Sequence, residues 1–290
     1  MKVLILGGSG MLGHKLVQGF NDKFEVWTTI RGNAQVYKIY GFLPEDRVIE
    51  DFNALDDKKL IKSIESVGPE VIINAVGVVK QLPISKDLIN TLEINSILPH
   101  KLKEISEQNN IRLINVGTDC VFKGSKGNYN ETDEADAGDL YGRSKNLGEV
   151  SSSNCLTLRT SIIGRELFSK HSLVEWFLSN KGKKIKGFKN AVFSGFSTLE
   201  LTAIIGDLII NHPNLEGLYH VSGFPINKFD LLNLLRKAFK LEIEIEPNED
   251  FVIDRSLDST KFRNATGYKP KSWEEMVWEM GNDLTAYQKY

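Results

Sequence analysis

A chain of 290 residues with 36 Lys and Arg against 38 Asp and Glu carries a formal charge of −2, and 41% hydrophobic with 26% charged residues is ordinary globular composition. At about 150 residues per domain there is room for two units, and a fibre, a small disulfide scaffold or a nucleic-acid-coating protein is excluded. The apolar opening stops at Gly7-Gly8-Ser9-Gly10, and residues 201–210 are interrupted by Thr202, Gly206 and Asp207, well short of the ~20 residues of a bilayer span, so a cytoplasmic protein with no membrane or nucleic-acid partner is expected.

Taken in chain order, the spacing predicts a buried strand over 2–6, a helix over 10–21 with Leu12, Leu16, Val17 and Phe20 inward, and a strand over 24–30. An irregular stretch at 33–45 leads to a third strand at 47–51 and a helix at 56–67, stopped by Gly68-Pro69. A strongly apolar strand follows at 70–79, then a helical stretch at 87–108 in which Pro99 marks a kink or a junction. A fifth strand at 112–122, a polar loop at 123–139, a helix from about 140 and a strand at 156–163 complete the alternation. This is the pattern of an α/β fold, a Rossmann-type doubly wound parallel sheet over 1–163. Beyond Gly164 the rhythm changes to a helix at 197–211, a strand at 217–222 and helices at 229–239 and 272–288. The last is expected to pack Trp273, Met276, Val277, Met280 and Leu284, with Trp278 also packed. Residues 164–290 are expected to form a smaller C-terminal α+β substrate lobe, free to return elements to the first domain.

Gly7, Gly10 and Gly13, in Gly-Gly-Ser-Gly-Met-Leu-Gly, stand directly after a strand and at the mouth of a helix. Small residues there permit a tight turn and close approach of a pyrophosphate, and the helix N-terminus offers free N–H groups, so Gly7, Ser9, Gly10, Met11, Leu12 and Gly13 are expected to hold a dinucleotide. The second strand ends Thr28-Thr29-Ile30-Arg31, with a guanidinium where an NAD enzyme usually presents a carboxylate. Arg31 favours the 2′-phosphate of NADP(H), with NAD(H) as the alternative. Asp51, beside Phe52, is placed to accept the adenine amino group or to cap the next helix.

Tyr141 and Lys145 lie one turn apart on a helix. An ammonium near a phenol stabilises the phenolate and lets Tyr141 act as general acid toward a carbonyl that receives hydride. Thr118, after the fifth strand, is placed to donate to the same carbonyl oxygen. The two cysteines, Cys120 and Cys155, lack metal-ligand spacing, so reduced thiols and no metal site are expected.

The glycine turn, Asn74-Ala75-Val76-Gly77 after the fourth strand, Thr118, and Tyr141 with Lys145 together resemble the extended short-chain dehydrogenase/reductases. Gly117-Thr118-Asp119-Cys120-Val121-Phe122-Lys123-Gly124 is similar to the Ser-Thr-Asp-Tyr-Val-Phe-Asp-Gly stretch of the dTDP-4-dehydrorhamnose reductase family, and Leu158-Arg159-Thr160-Ser161 and residues 217–223 also match segments of it. The resemblance implies NADPH-dependent reduction of the C4 ketone of a nucleotide-diphosphate 6-deoxy sugar, for surface polysaccharide precursors. It makes Tyr141 the proton donor, Lys145 the ligand of the nicotinamide ribose and Thr118 the group that orients the ketone, with Asn74, Ala75, Val76 and Gly77 lining the cofactor. Cys120 replaces the family's tyrosine, so both dTDP-4-dehydrorhamnose and a UDP-2-acetamido-2,6-dideoxy-4-keto-hexose remain open as substrates. It also stands where the related 4,6-dehydratases have glutamate, which disfavours dehydration. An epimerase or dehydratase of the superfamily, or a cofactor-binding regulatory subunit, are the alternative readings, and a homodimer is compatible with the family.

Lys80, Asp119, Cys120 and Arg255 are candidate substrate ligands, Arg255 by charge-assisted bonds to a diphosphate or, alternatively, in a helix-end salt bridge. Asn95 is read as an amide that shapes the active site or is simply buried, His220 as a satisfied core histidine, and Arg159 as a brace of the sheet.

Overall fold

The strands are short, the longest in the main sheet having five residues. β1 (Lys2–Leu6), β2 (Glu25–Thr29), β3 (Val48–Ile49), β4 (Val71–Asn74), β5 (Arg112–Val116), β6 (Cys155–Arg159) and β11 (Gly217–His220) form one sheet in the order β11-β6-β5-β4-β1-β2-β3. Its ladders from β3 through β6 are parallel. The order reverses between β1 and β4, the point outside whose carboxyl ends doubly wound sheets bind ligands. The protein was studied as a computed structural model, which describes residues 1–78 and 87–287.

The chain divides into two units. The first comprises Met1–Gly117, Gly138–Leu158 and Thr202–Leu218; the second comprises Thr118–Ala137, Arg159–Leu201 and the chain from Tyr219. In the first unit, Leu4 and Leu6 of β1 and Ile72 of β4 pack with Leu60 and Ile64 of α2 (Asp57–Val67) and Leu98 and Leu102 of α4 (Leu98–Gln108). The cluster is continuous because alternate strand residues meet the i, i+4 stripe of each helix. α2 is bounded as its sequence predicts, with the Asp56 side chain accepting from Lys59 N and Gly68 in the left-handed region at φ 58°. Beneath the sheet runs a polar chain: Asn74 donates to Asn115 Oδ1 (2.9 Å), Asn115 donates to Gly148 O (3.2 Å), and Thr157 donates to Val150 O (2.6 Å). A buried network satisfied in this way specifies register as well as stability.

The expected helix over 87–108 is three pieces in one helical run: α3 (Leu88–Leu92), a π turn (Glu93–Ile97) and α4, with Pro99 at the junction where the π turn passes into α4. The π turn approaches α5 (Leu140–Leu147) closely. A Cβ on Gly148 would stand 1.8 Å from Asn95 O, and Ser96 Oγ donates to Ser144 O at 2.8 Å.

In the second unit, β9 (Ala191–Phe193) lies between β12 (Ile226–Asn227) and β14 (Ile253–Asp254), and β8 (Lys184–Phe188) pairs in parallel with β13 (Glu244–Asn248). Glu244 and Glu246 pair with Lys184, so charge complementarity agrees with the register. Several expected elements are shorter than their apolar patterns. The strand at 112–122 ends at Val116, because the Thr118 side chain accepts from Cys120 N and turns the chain into a 3-10 turn at Asp119–Val121. The strand at 70–79 ends at Asn74, whose side chain takes Val76 N. The strand at 156–163 splits, because β7 (Ile162–Ile163) pairs instead with β10 (Phe196–Ser197). The last helix, α10 (Trp273–Gly281), ends early, leaving Leu284 fully exposed and Trp278 largely so, against the expectation that both pack.

Replacing Gly148 with Ala should force α5 from the π turn at a cost of about 1–3 kcal/mol, a fall of several degrees in thermal midpoint. An unchanged midpoint by calorimetry would show that these helices do not make the close approach described.

Candidate functional site

The turn after β1 is built for close approach. Gly7 adopts φ +85°, Gly7 N donates to Thr29 Oγ1 at 3.1 Å, and Gly10 N donates back to Gly7 O at 3.0 Å. A Cβ on Gly13 would lie 2.0 Å from Gly7 O, and one on Gly8 1.9 Å from Thr28 Oγ1. The turn therefore admits only glycine at these points and keeps its outer surface bare of side chains. It opens α1 (Gly13–Phe20), which has no capping side chain at Leu12; His14 N and Lys15 N bond back to Gly10 O and Leu12 O, and the Leu12 and Gly13 amides, which make no hydrogen bond among the described residues, stay available to an anion. The residues fit a dinucleotide pyrophosphate.

At the far end of this site Arg31 is exposed at the end of β2, and Tyr37 OH donates to its carbonyl at 3.4 Å. Asp51 has φ +47° and presents its carbonyl to Lys59 Nζ; the cap of α2 is Asp56, which removes the capping alternative for Asp51. Phe52 is buried in the first unit's core and ties the strand ends through its N–H to Ile30 O. A carboxylate that strand-by-strand reading passes over also reaches this rim. Glu50 Oε2 accepts from Ala34 N at 2.9 Å, because the β2–β3 pairing continues to Gly32 and Asp51.

At the carboxyl edge of β4 and β5 stands Lys145. Asp139 caps α5 by accepting from Gly142 N, which sets the helix so that Lys145, buried, donates to Val116 O at 2.9 Å. Its Nζ would lie 3.8 Å from a Cβ on Gly77. Burial lowers its pKa to about 8, with Glu149 opposing. Tyr141 is half-buried one turn earlier. Asn95 is a satisfied buried amide: its Oδ1 accepts from Val78 N (2.9 Å) and its Nδ2 donates to Val78 O and Ser144 Oγ (3.2 Å each), which holds the end of β4 against α5. The first unit thus brings together the glycine turn, Asn74 to Gly77, and Lys145. Lys80 lies outside the described residues.

The second unit carries Thr118, Asp119, Cys120 and Arg255. Thr118 Oγ1 accepts from Cys120 N and lies 3.4 Å from Asp119 Oδ1. Asp119 is buried, which pushes its carboxyl pKa up against the pull of Arg255. Arg255 donates from Nε to Phe122 O (2.8 Å) and from NH1 to Cys120 Sγ (3.6 Å). Burial, together with Asp119, raises the Cys120 thiol to about 12. Behind this turn Phe122 stacks on Tyr129 at 4.1 Å, and buried His220 holds Tyr129 O with Nδ1 and Arg159 with Nε2, a structural role for both. Lys228, at the start of α8 (Lys228–Ala238), is a residue that motif reading missed. It lies in the field of Asp119, Cys120 and Arg255, and no local spacing connects it to them.

The family model described as RmlD substrate binding domain matches residues 1–286. The chain belongs to this family. Among RmlD-related proteins it is 26% identical to a dTDP-4-dehydrorhamnose reductase of Aggregatibacter actinomycetemcomitans, over 95% of this chain and 97% of that protein. Its fold matches that of the Bacillus anthracis dTDP-4-dehydrorhamnose reductase in complex with NADP, with a TM-score of 0.79, 18% identity and 96% and 98% of the two chains covered. It also matches Bordetella bronchiseptica WbmG in complex with NAD and UDP, with a TM-score of 0.76, 18% identity and 95% and 91% covered. Among the described residues no group of three His, Cys, Asp or Glu is placed to hold a metal ion, and no helix is long and apolar enough to cross a membrane.

With a pKa near 12, only about one Cys120 in ten thousand is thiolate at pH 8. Iodoacetamide at pH 8 should therefore leave native Cys120 almost unlabelled and modify it rapidly after denaturation. Rapid labelling of the native chain, located by peptide mass, would contradict this environment.

Proposed function

We propose that this RmlD-family protein is an NADPH-dependent reductase of the C4 ketone of a nucleotide-diphosphate 6-deoxy-4-keto sugar. The observation that carries the reading is the placing of the Lys145 ammonium against Gly77 and Val116 O, at the carboxyl edge of the sheet that bears the glycine turn. A fixed cation there serves both a nicotinamide ribose and the phenol one turn before it. Family membership and the reductase relative support the substrate class.

A nicotinamide dinucleotide would be held by Gly7, Ser9, Gly10, Met11, Leu12 and Gly13 at its pyrophosphate, by Asp51 and Phe52 near adenine, by Asn74, Ala75, Val76 and Gly77 along β4, and by Tyr141 and Lys145 at the nicotinamide ribose. When bound it supplies the hydride that C4 accepts. Tyr141 delivers a proton to the ketone oxygen as that hydride arrives, Lys145 stabilises the resulting phenolate, and Thr118 donates to the same oxygen. NADPH is the favoured cofactor because Arg31 is exposed and able to pair with a 2′-phosphate. Glu50, on the same rim, is engaged with Ala34 N. The buried neutral thiol of Cys120 is unsuited to abstracting a C5 proton, which weighs against dehydration. Both dTDP- and UDP-linked substrates fit this reading, as does a role in cytoplasmic synthesis of surface polysaccharide precursors by a homodimer.

The direct test is loss of NADPH absorbance on mixing with dTDP- and UDP-linked 4-keto-6-deoxy sugars. Tyr141→Phe should lower turnover about 10²- to 10⁴-fold while keeping cofactor affinity, and full activity in that variant would remove Tyr141 as donor. In titrations of both cofactors, Arg31→Ala should weaken NADPH far more than NADH; equal losses would exclude 2′-phosphate recognition by Arg31.

A further inference from the structure

The second unit gathers two cations and a carboxyl around one thiol, and one of the cations makes no hydrogen bond or ion pair among the described residues. In the sheet β12-β9-β14, Asn227 and Asp254 both lie opposite Val192. Asn227 is still extended where it caps α8, at φ −85° and ψ 160°, so Lys228, the first residue of that helix, and Arg255, each one residue further on, leave the sheet on the face opposite to that of Val192. The turn at 118–124 lies against that face: a Cβ on Gly124 would meet Ile253 Cγ1 at 2.4 Å and Arg255 Cγ at 3.0 Å.

Arg255 is occupied there, with Nε on Phe122 O and NH1 on Cys120 Sγ, and its charge offsets part of the cost of burying Asp119. Lys228 differs. Its ammonium is half-buried in the field of Asp119, Cys120 and Arg255, yet it makes no hydrogen bond or ion pair among the described residues. Burial lowers its pKa and Arg255 repels it. Solvent still reaches this ammonium, since it is not among the buried atoms left without a partner, and an anionic ligand that replaces that solvent gains a charge-assisted bond to it.

We propose that Lys228 is a substrate-binding residue that takes the diphosphate of the nucleotide sugar, with Arg255 beside it. The identity of the anion rests on the reductase reading above: a 6-deoxy-4-keto hexose is neutral, so the diphosphate is the one anionic group a substrate of that class brings.

The test is calorimetric titration of the full chain with dTDP, UDP and the matching nucleosides, in wild type, Lys228→Met and Lys228→Arg. The expected result is that the nucleoside diphosphate that wild type binds is weakened about tenfold or more by Lys228→Met, the loss of one charge-assisted bond, and largely restored by Lys228→Arg. Nucleoside and NADPH affinities should be unchanged. Lys228→Gln replaces the methionine variant should that one fail to fold. Wild-type affinity for the diphosphate in the methionine variant, an equal loss for the nucleoside, or no binding of either diphosphate by wild type would each overturn the assignment. Failure of the reductase reading looks different: Lys228-dependent diphosphate binding would persist while no 4-keto sugar consumed NADPH.

Discussion

One hydrogen bond organises the first unit's chemistry, that from the Lys145 ammonium to Val116 O. Burial alone would drive this lysine toward its neutral form, and its pKa falls to about 8. The carbonyl that ends β5 keeps it pointed at the carboxyl edge of the sheet. Everything around it serves that position. Asp139 sets the start of α5, Gly148 lets the helix meet the π turn, and Asn95 joins both to the end of β4. The local irregularity of the π turn is thus paired with the helix that carries Tyr141 and Lys145.

Much of this arrangement is legible in the residues themselves. The glycine turn is readable because each glycine answers to a specific clash or a positive φ, and Tyr141 with Lys145 because helical period places them on one face. Strand ends are not readable in the same way. β4 and β5 stop where Asn74 and Thr118 turn their own side chains back to the backbone, a local bond that competes with the ladder and leaves the apolar pattern intact. Glu50 and Lys228 escaped notice because each arrives from an element distant in sequence, through strand pairing that periodicity does not encode. Leu284 and Trp278 were misjudged from a helical stripe that outlasts its helix.

A near-zero net charge conceals local order. The basic strand β8 lies in register with the acidic strand β13, where Lys184 meets Glu244 and Glu246 and Lys189 meets Glu249. These pairs are exposed and each contributes little, so the charge they cancel matters more than the energy they add. With that patch neutralised, Lys228, which makes no hydrogen bond or ion pair among the described residues, stands out in the second unit.

The segment from Thr118 to Ala137 has one short 3-10 turn, yet it is fastened along its length. Phe122 stacks on Tyr129, Tyr129 N and Asn128 N donate to Ser256, and Asp254 N donates to Gly124 O. Aromatic and main-chain anchors of this kind take no account of what occupies position 120. The side chain at position 120 bears on this segment through the thiol that accepts from Arg255, while its backbone N–H bonds to Thr118 whatever the side chain. Replacing that side chain exchanges one sulfur contact and leaves the other fastenings of the segment in place.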